Sequence, residues 1–106
     1  MYEDITIEAY QTQFSHNGTS DHVLLDVREI NEFVQGRIPG AVNLPLSALQ
    51  VHLNEIDPSL SVVIVCQTGV RSVMAARFMA ANGYTKLYNL LDGTHGWMIR
   101  GLPLER

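Results

Sequence analysis

Residues 62–72 constrain the fold of this chain more than any other stretch. Residues 62–65 are all aliphatic, and such an uninterrupted run is typical of a strand that is buried on both faces. From residue 70 the apolar period becomes helical, and Asn82-Gly83 is a suitable end for a helix. The side chains that this period predicts to face inward are Val70, Val73, Met74, Phe78 and Ala81. Cys66, the only cysteine, therefore lies between a buried strand and a helix.

The position of Cys66 favours an ionised thiol. Backbone N–H groups of a loop and of a helix N-terminus form a partly positive site that is suited to an anion and that lowers cysteine pKa values. Gly69 allows the loop to turn with positive φ, and Arg71 adds a permanent positive charge. Thr68 and Ser72 add hydroxyl groups. A buried structural thiol is the alternative for a lone cysteine, but it would not require so polar a loop.

The stretch from Cys66 to Ser72, written C-x-x-G-x-R-S, resembles the active-site loop of the rhodanese-like sulfurtransferases. Three further segments carry the same resemblance: Leu24-Leu25-Asp26-Val27-Arg28-Glu29, Gly36-Arg37-Ile38-Pro39-Gly40-Ala41-Val42-Asn43-Leu44-Pro45 and Gly101-Leu102-Pro103. The resemblance implies one rhodanese-like α/β domain over residues 1–106, with a mostly parallel five-stranded sheet and helices on both faces. Two positions depart from the family pattern, because Arg37 replaces a common His and Asp92 replaces the first glycine of a Gly-Gly pair.

The remaining elements are expected to alternate between strands and helices, as in a parallel sheet covered on both faces. We expect strands near residue 5 and over residues 23–27, 41–44 and 87–91. The helices between them are predicted from their spacing to bury the following side chains: Tyr10 and Phe14 after a Thr6 cap, Ile30, Phe33 and Val34 after Glu29, and Leu46, Leu49 and Leu53 after Pro45. Trp97 is expected in the core and His52 at the surface.

The resemblance implies sulfur transfer through a persulfide on Cys66. The donor would be a small anion such as thiosulfate, the acceptor a thiol, cyanide or a protein, and no metal or organic cofactor would be needed. The loop implied to hold the persulfide consists of Gln67, Thr68, Gly69, Val70, Arg71 and Ser72. Asp26 and Arg28 follow a neighbouring strand and are expected to approach this loop, either to shape the site or as an ion pair that fixes the loop.

Other functions remain open from the sequence. The domain could serve mainly as a persulfide carrier or protein-binding module that acts with a partner enzyme. Related phosphatases and arsenate reductases use a loop that is one residue longer, which disfavours that function. His95 invites a Cys–His dyad, but the resemblance implies no base at this position. His16 and His22 lack the accompanying residues of a metal site, so we expect them to be exposed.

Composition bears on partners and location. A net charge of −4 provides no electrostatic reason to expect nucleic acid or an anionic membrane as a partner. A single cysteine allows neither an internal disulfide nor a cysteine-based metal cluster. No apolar run is long enough to span a bilayer, and the acidic start at Tyr2-Glu3-Asp4 is unlike a signal peptide. We therefore expect a cytoplasmic protein, either a monomer or a weak dimer.

Overall fold

A computed structural model describes residues 1–14 and 21–106. Its strands are β1 (Glu3–Ile5), β2 (His22–Asp26), β3 (Val42–Asn43), β4 (Ser61–Val65) and β5 (Leu87–Leu90). They form one five-stranded sheet in the order β1-β5-β4-β2-β3, and every pairing between them is parallel. The helices are α1 (Ile7–Gln13), α2 (Ile30–Gln35), α3 (Leu49–His52), α4 (Val70–Ala81) and α5 (Gly93–Ile99). Short 3₁₀ turns, Leu46–Ala48 and Leu53–Glu55, flank α3.

Strand β4 lies at the centre of the sheet, between β5 and β2. Its side chains alternate between two cores, because successive residues of a strand point to opposite faces. Val62 and Ile64 pack with residues of α3 and α4, whereas Val63 and Val65 pack with residues of α1 and α5. The aliphatic run is thus buried on both faces, and the predicted α/β architecture with helices on both sides of the sheet is confirmed.

Helix α4 spans the predicted residues, but the prediction of its inward face was wrong at most positions, and Phe78 is the one predicted side chain that packs against the described core. Val70 and Met74 are 69% and 59% exposed. The residues that α4 buries are Ser72, Ala75, Ala76 and Met79. Three of these four side chains are small, which lets the helix lie close to β4 and β5, while Val70 and Met74 remain on its outer side. Apolar residues occur on nearly all sides of this helix, so periodicity alone could not identify the buried face.

Helix α2 also turns its apolar residues outward, contrary to expectation. Ile30 and Val34 are 58% and 54% exposed, and Phe33 is only partly buried. A capping box between Glu29 and Glu32 stabilises the start of this six-residue helix. The helix is therefore held by polar contacts at its start rather than by a buried apolar face.

Several smaller predictions are confirmed. Thr6 caps α1 by accepting a hydrogen bond from the Ala9 N–H (3.0 Å), and Tyr10 is buried. Trp97 is a core residue, and its indole N–H donates to the Pro103 carbonyl (2.8 Å). His52 is exposed. Within the described part of the chain, no helix is both long enough and apolar enough to cross a membrane.

The expectation of an exposed His22 was wrong, and His16 lies outside the described residues. His22 begins β2, and only 9% of its side chain is accessible. Its Nε2 lies 3.0 Å from the Tyr10 hydroxyl. Burial, with the nearby Asp21 carboxylate, raises the pKa of Tyr10 to about 12, so the hydroxyl stays protonated near neutral pH.

Substitution of methionine by alanine should affect the free energy of unfolding very differently on the two faces of α4. Met79→Ala should lower the free energy of unfolding by about 2–5 kcal/mol, because it leaves a cavity in the core. Met74→Ala, the matched control on the outer face, should change it by less than about 0.5 kcal/mol. Urea unfolding of both variants measures the difference, and equal losses would contradict the assigned face.

Candidate functional site

The site is built around Cys66, which follows the last residue of β4 and is buried. Its Sγ accepts a hydrogen bond from the Gly69 N–H (3.0 Å) and lies 3.4 Å from the Ser72 hydroxyl. Gly69 is the residue that caps α4, and its φ of +107° places it in the left-handed region that favours glycine. The loop therefore folds back over the sulfur and presents donors to it.

The orientation of this loop depends on the start of α5. The N–H of Thr94 donates to the Cys66 carbonyl, and the N–H of His95 donates to the Gln67 carbonyl, both at 2.9 Å. In a trans peptide the C=O and the following N–H point in opposite directions. Holding the Gln67 carbonyl against α5 therefore directs the Thr68 N–H away from α5, and this N–H contributes to lowering the pKa of Cys66.

Gly93 makes this approach possible. A Cβ at this position would lie 2.3 Å from the Cys66 carbonyl oxygen and 2.7 Å from that of Gln67. Its φ of +58° is also in the left-handed region, as is that of the preceding Asp92 at +68°. Asp92 thus adopts, as a non-glycine residue, a backbone conformation that glycine tolerates more readily.

Opposing effects act on the pKa of Cys66. Burial raises it, whereas hydrogen bonds from the Ser72 hydroxyl and from the backbone N–H groups of Ser72, Gly69 and Thr68 lower it. The hydrogen bonds prevail, so the pKa of Cys66 lies below its ordinary value. The geometry therefore favours a thiolate, which is the nucleophilic form of cysteine.

A chain of polar side chains extends from the sulfur across the sheet. The Ser72 hydroxyl donates to Oδ1 of Asn89 on β5 (2.5 Å), and the Asn89 side-chain amide donates to a carboxylate oxygen of Asp4 on β1 (3.1 Å). Ser72 and Asn89 are both buried. We did not predict Asn89 or Asp4, although a polar residue within the apolar strand around Asn89 was a usable signal.

Asp26 and Arg28 form a buried ion pair next to the loop. The Arg28 guanidinium lies 2.8 Å from an Asp26 carboxylate oxygen and donates to the Gly36 carbonyl, also at 2.8 Å. Its remaining amino group donates to the Gln67 side-chain oxygen (3.2 Å). Arg28 therefore contacts the loop directly, whereas Asp26 is connected to the loop through Arg28.

Arg71 projects toward α2 rather than toward open solvent. It forms a two-pronged ion pair with Glu32, with N–O distances of 2.6 and 2.9 Å. The hydrogen bonds from Arg71 lower the pKa of Glu32 to about 2, so the pair stays ionised at neutral pH. Sequence reasoning missed Glu32, because these residues are 39 positions apart and no local spacing relates them.

The described contacts of the Cys66 sulfur come from its own loop rather than from an imidazole. The side chain of His95 is exposed, and only its backbone N–H joins the site. Across residues 1–14 and 21–106, no cluster of three or more His, Cys, Asp or Glu side chains could hold a metal ion.

The site predicts opposite effects at Ser72 and Asn89. The Ser72 hydroxyl has one proton to donate. While Cys66 is a thiol, this proton goes to Asn89. A Cys66 thiolate would compete with Asn89 for it. Ser72→Ala should raise the pKa of Cys66, and Asn89→Leu should lower it by removing the competing acceptor. At neutral pH we expect alkylation of Cys66 by iodoacetamide to change several-fold in opposite directions.

The alkylation rate should be measured across pH, with Asn82→Leu as control because the Asn82 side chain donates only to a carbonyl of its own helix among the described residues. Shifts of the same sign in the Ser72 and Asn89 variants would contradict the competition between the two acceptors.

Gly93 should tolerate no side chain. Gly93→Ala should destabilise the fold by more than about 2 kcal/mol, because the new Cβ meets two carbonyl oxygens and requires positive φ. Gly83→Ala is a matched control that shares positive φ but has open space around the added Cβ. Thermal unfolding compares them, and equal losses would show that φ alone is responsible.

Comparison with known proteins agrees with this geometry. The family model described as rhodanese-like domain matches residues 9–100. The "Thiosulfate sulfurtransferase GlpE" of Actinobacillus succinogenes is 34% identical over 82% of this chain and 78% of its own length. The "Putative sulfur carrier protein YrkF" of Bacillus subtilis is 35% identical over 89% of this chain, which spans only 50% of that relative.

A solved structure carries the same fold over nearly all of both chains. The rhodanese-like domain protein from Staphylococcus aureus superposes with a TM-score of 0.83 at 28% identity, covering 98% of this chain and 99% of its own. The similarity in sequence and in structure confirms the predicted resemblance of the chain to rhodanese-like domains. This chain belongs to the family of rhodanese-like domains.

Proposed function

We propose that this protein is a sulfurtransferase that carries a sulfane sulfur on Cys66. The observation that carries the proposal is a buried sulfur that accepts hydrogen bonds from its own loop, with the Gly69 N–H at 3.0 Å. Names of relatives support sulfur transfer in general, because one is a thiosulfate sulfurtransferase and another is described as a sulfur carrier. A donor such as thiosulfate is therefore a reasonable first substrate.

The reaction has two displacement steps. In the first, the Cys66 thiolate attacks the outer sulfur of the donor, a new S–S bond forms, and the donor S–X bond breaks with its electron pair on the leaving group. In the second, a thiol, cyanide or a protein thiol attacks the outer sulfur, and its bond to Cys66 breaks to return the thiolate. No net oxidation occurs in this exchange, so the steps require no added oxidant or reductant.

The loop supplies the electrostatic part of the reaction. We assign it to hold the persulfide with the backbone N–H groups of its residues, which are Gln67, Thr68, Gly69, Val70, Arg71 and Ser72. Fixed N–H donors stabilise an anionic sulfur without having to reorient during the reaction. Arg28 keeps the loop in place through its hydrogen bond to the Gln67 side chain.

A persulfide carrier that works with a partner protein is the second candidate. Val70, within the loop, and Met74, just after it, lie exposed on the first turns of α4. A protein that brings a thiol to Cys66 would contact them there. Slow turnover with small donors, together with fast transfer to a protein acceptor, would favour this function over an independent sulfurtransferase.

Intact-mass spectrometry after incubation with thiosulfate tests the proposal. We expect the wild type to gain one sulfur atom, cyanide to remove it, and Cys66→Ser to gain none. The rate of gain should fall as pH drops through the lowered pKa of Cys66, since the thiol form is not the nucleophile. Absence of any gain with thiosulfate, an organic thiosulfonate and a persulfide would overturn the function.

A further inference from the structure

The positive charges beside the Cys66 loop are already neutralised. Arg71 is bound by both carboxylate oxygens of Glu32, and Arg28 is bound by Asp26. Each guanidinium uses its two-pronged donor geometry on a carboxylate, which is the arrangement it would otherwise offer to an oxyanion. A donor that reaches this loop therefore meets two ion pairs rather than two free cations.

A groove of about 330 Å³ adjoins the loop at Gln67. Glu32 lines this groove, together with the apolar side chains of Met98 and Leu104. Arg106 also lines it, and its guanidinium donates a hydrogen bond to the Gln35 carbonyl. Arg28, which Asp26 pairs, lines it as well. The groove thus combines apolar surface with two charged groups that belong to ion pairs, Glu32 and Arg28, and with the Arg106 guanidinium, which no described carboxylate pairs.

The charges around the groove should affect the binding of a singly charged donor and of a doubly charged donor differently. Because Glu32 cancels the charge of Arg71, the ion pair offers the second negative charge of a dianion little of the attraction that a free guanidinium would offer. Apolar surface at Met98 and Leu104 suits an organic substituent, which inorganic thiosulfate lacks. The Arg106 guanidinium can balance one negative charge on a donor, so a donor with one negative charge and a carbon substituent fits better than a dianion.

We propose that Glu32 is a specificity-determining residue that selects singly charged organic sulfane-sulfur donors, thiosulfonates or persulfides, over doubly charged thiosulfate. The proposal rests on sulfur transfer through Cys66. With a persulfide R–S–SH whose substituent R carries the single negative charge, the Cys66 thiolate bonds to the outer sulfur, the R–S to outer-sulfur bond breaks with its electron pair on R–S⁻, and the proton stays on the outer sulfur. With a thiosulfonate, the leaving group is the sulfinate.

The residue exchange Glu32→Gln tests this assignment with little structural cost. Glu32 also accepts a hydrogen bond from the Glu29 N–H (3.0 Å), and a Gln side-chain oxygen can keep that bond of the capping box. Only the negative charge is removed, so Arg71 becomes available to an anionic donor. Glu8→Gln is the matched control, because it likewise removes the negative charge from an Arg–Glu ion pair, here the pair of Glu8 on α1 with Arg100.

The donors to compare are methanethiosulfonate, with one negative charge, and thiosulfate, with two, using cyanide as acceptor. In Glu32→Gln we expect kcat/KM for thiosulfate to rise about tenfold and that for methanethiosulfonate to rise no more than about threefold. The thiosulfate reaction of the variant should also slow more steeply with added salt. Glu8→Gln should leave both donors unchanged.

An unchanged ratio of the two kcat/KM values in Glu32→Gln would overturn the assignment, as would an equal change in Glu8→Gln. Glu32→Ala provides a second variant, in which the ratio should shift in the same direction if charge is the cause. Failure of the underlying function has a different signature, because no donor would then add a sulfur to Cys66 in the wild type or in any variant.

Discussion

The contact between the start of α5 and the Cys66 loop is the interaction on which the rest of the site depends. Two backbone N–H groups of α5 hold the carbonyls of Cys66 and Gln67, and the second of these contacts directs the Thr68 N–H away from α5. Only a residue without a Cβ at position 93 allows the two segments to come so close. The reactive geometry is thus set by backbone hydrogen bonds, which no side-chain chemistry of the loop could replace.

Around this backbone cradle, the ionic side chains are arranged as closed pairs. Asp26 binds Arg28 beneath the loop, and Glu32 binds Arg71 at its edge. Burying the first pair is tolerable because Arg28 also donates to the Gly36 carbonyl, which leaves fewer of its donors unsatisfied. Hydrogen bonds from the loop therefore lower the pKa of Cys66, whereas Arg28 connects the Asp26 pair to the loop through the Gln67 side chain.

The buried polar side chains that lead away from Cys66 also satisfy one another in sequence. Ser72 could not be left inside the core with an unpaired hydroxyl, and Asn89 on the neighbouring strand satisfies it. Asp4 on the edge strand then satisfies the Asn89 amide, so the polar path ends where β1 meets solvent. Hydrogen bonds thus connect Cys66, through Ser72 and Asn89, with a residue on a strand that is not adjacent to β4.

By itself the sequence determined the strand, loop and helix around Cys66, because an aliphatic run, a glycine turn and a helical period are signals between near neighbours in the chain. Tertiary structure alone decided which face of α4 is buried, since apolar residues surround that helix and its packing on the sheet places three small residues and Met79 inward. It also decided the partners of Arg71 and Ser72, which come from residues 39 and 17 positions away. Such contacts are encoded by how the elements pack, and no local pattern of residues reveals them.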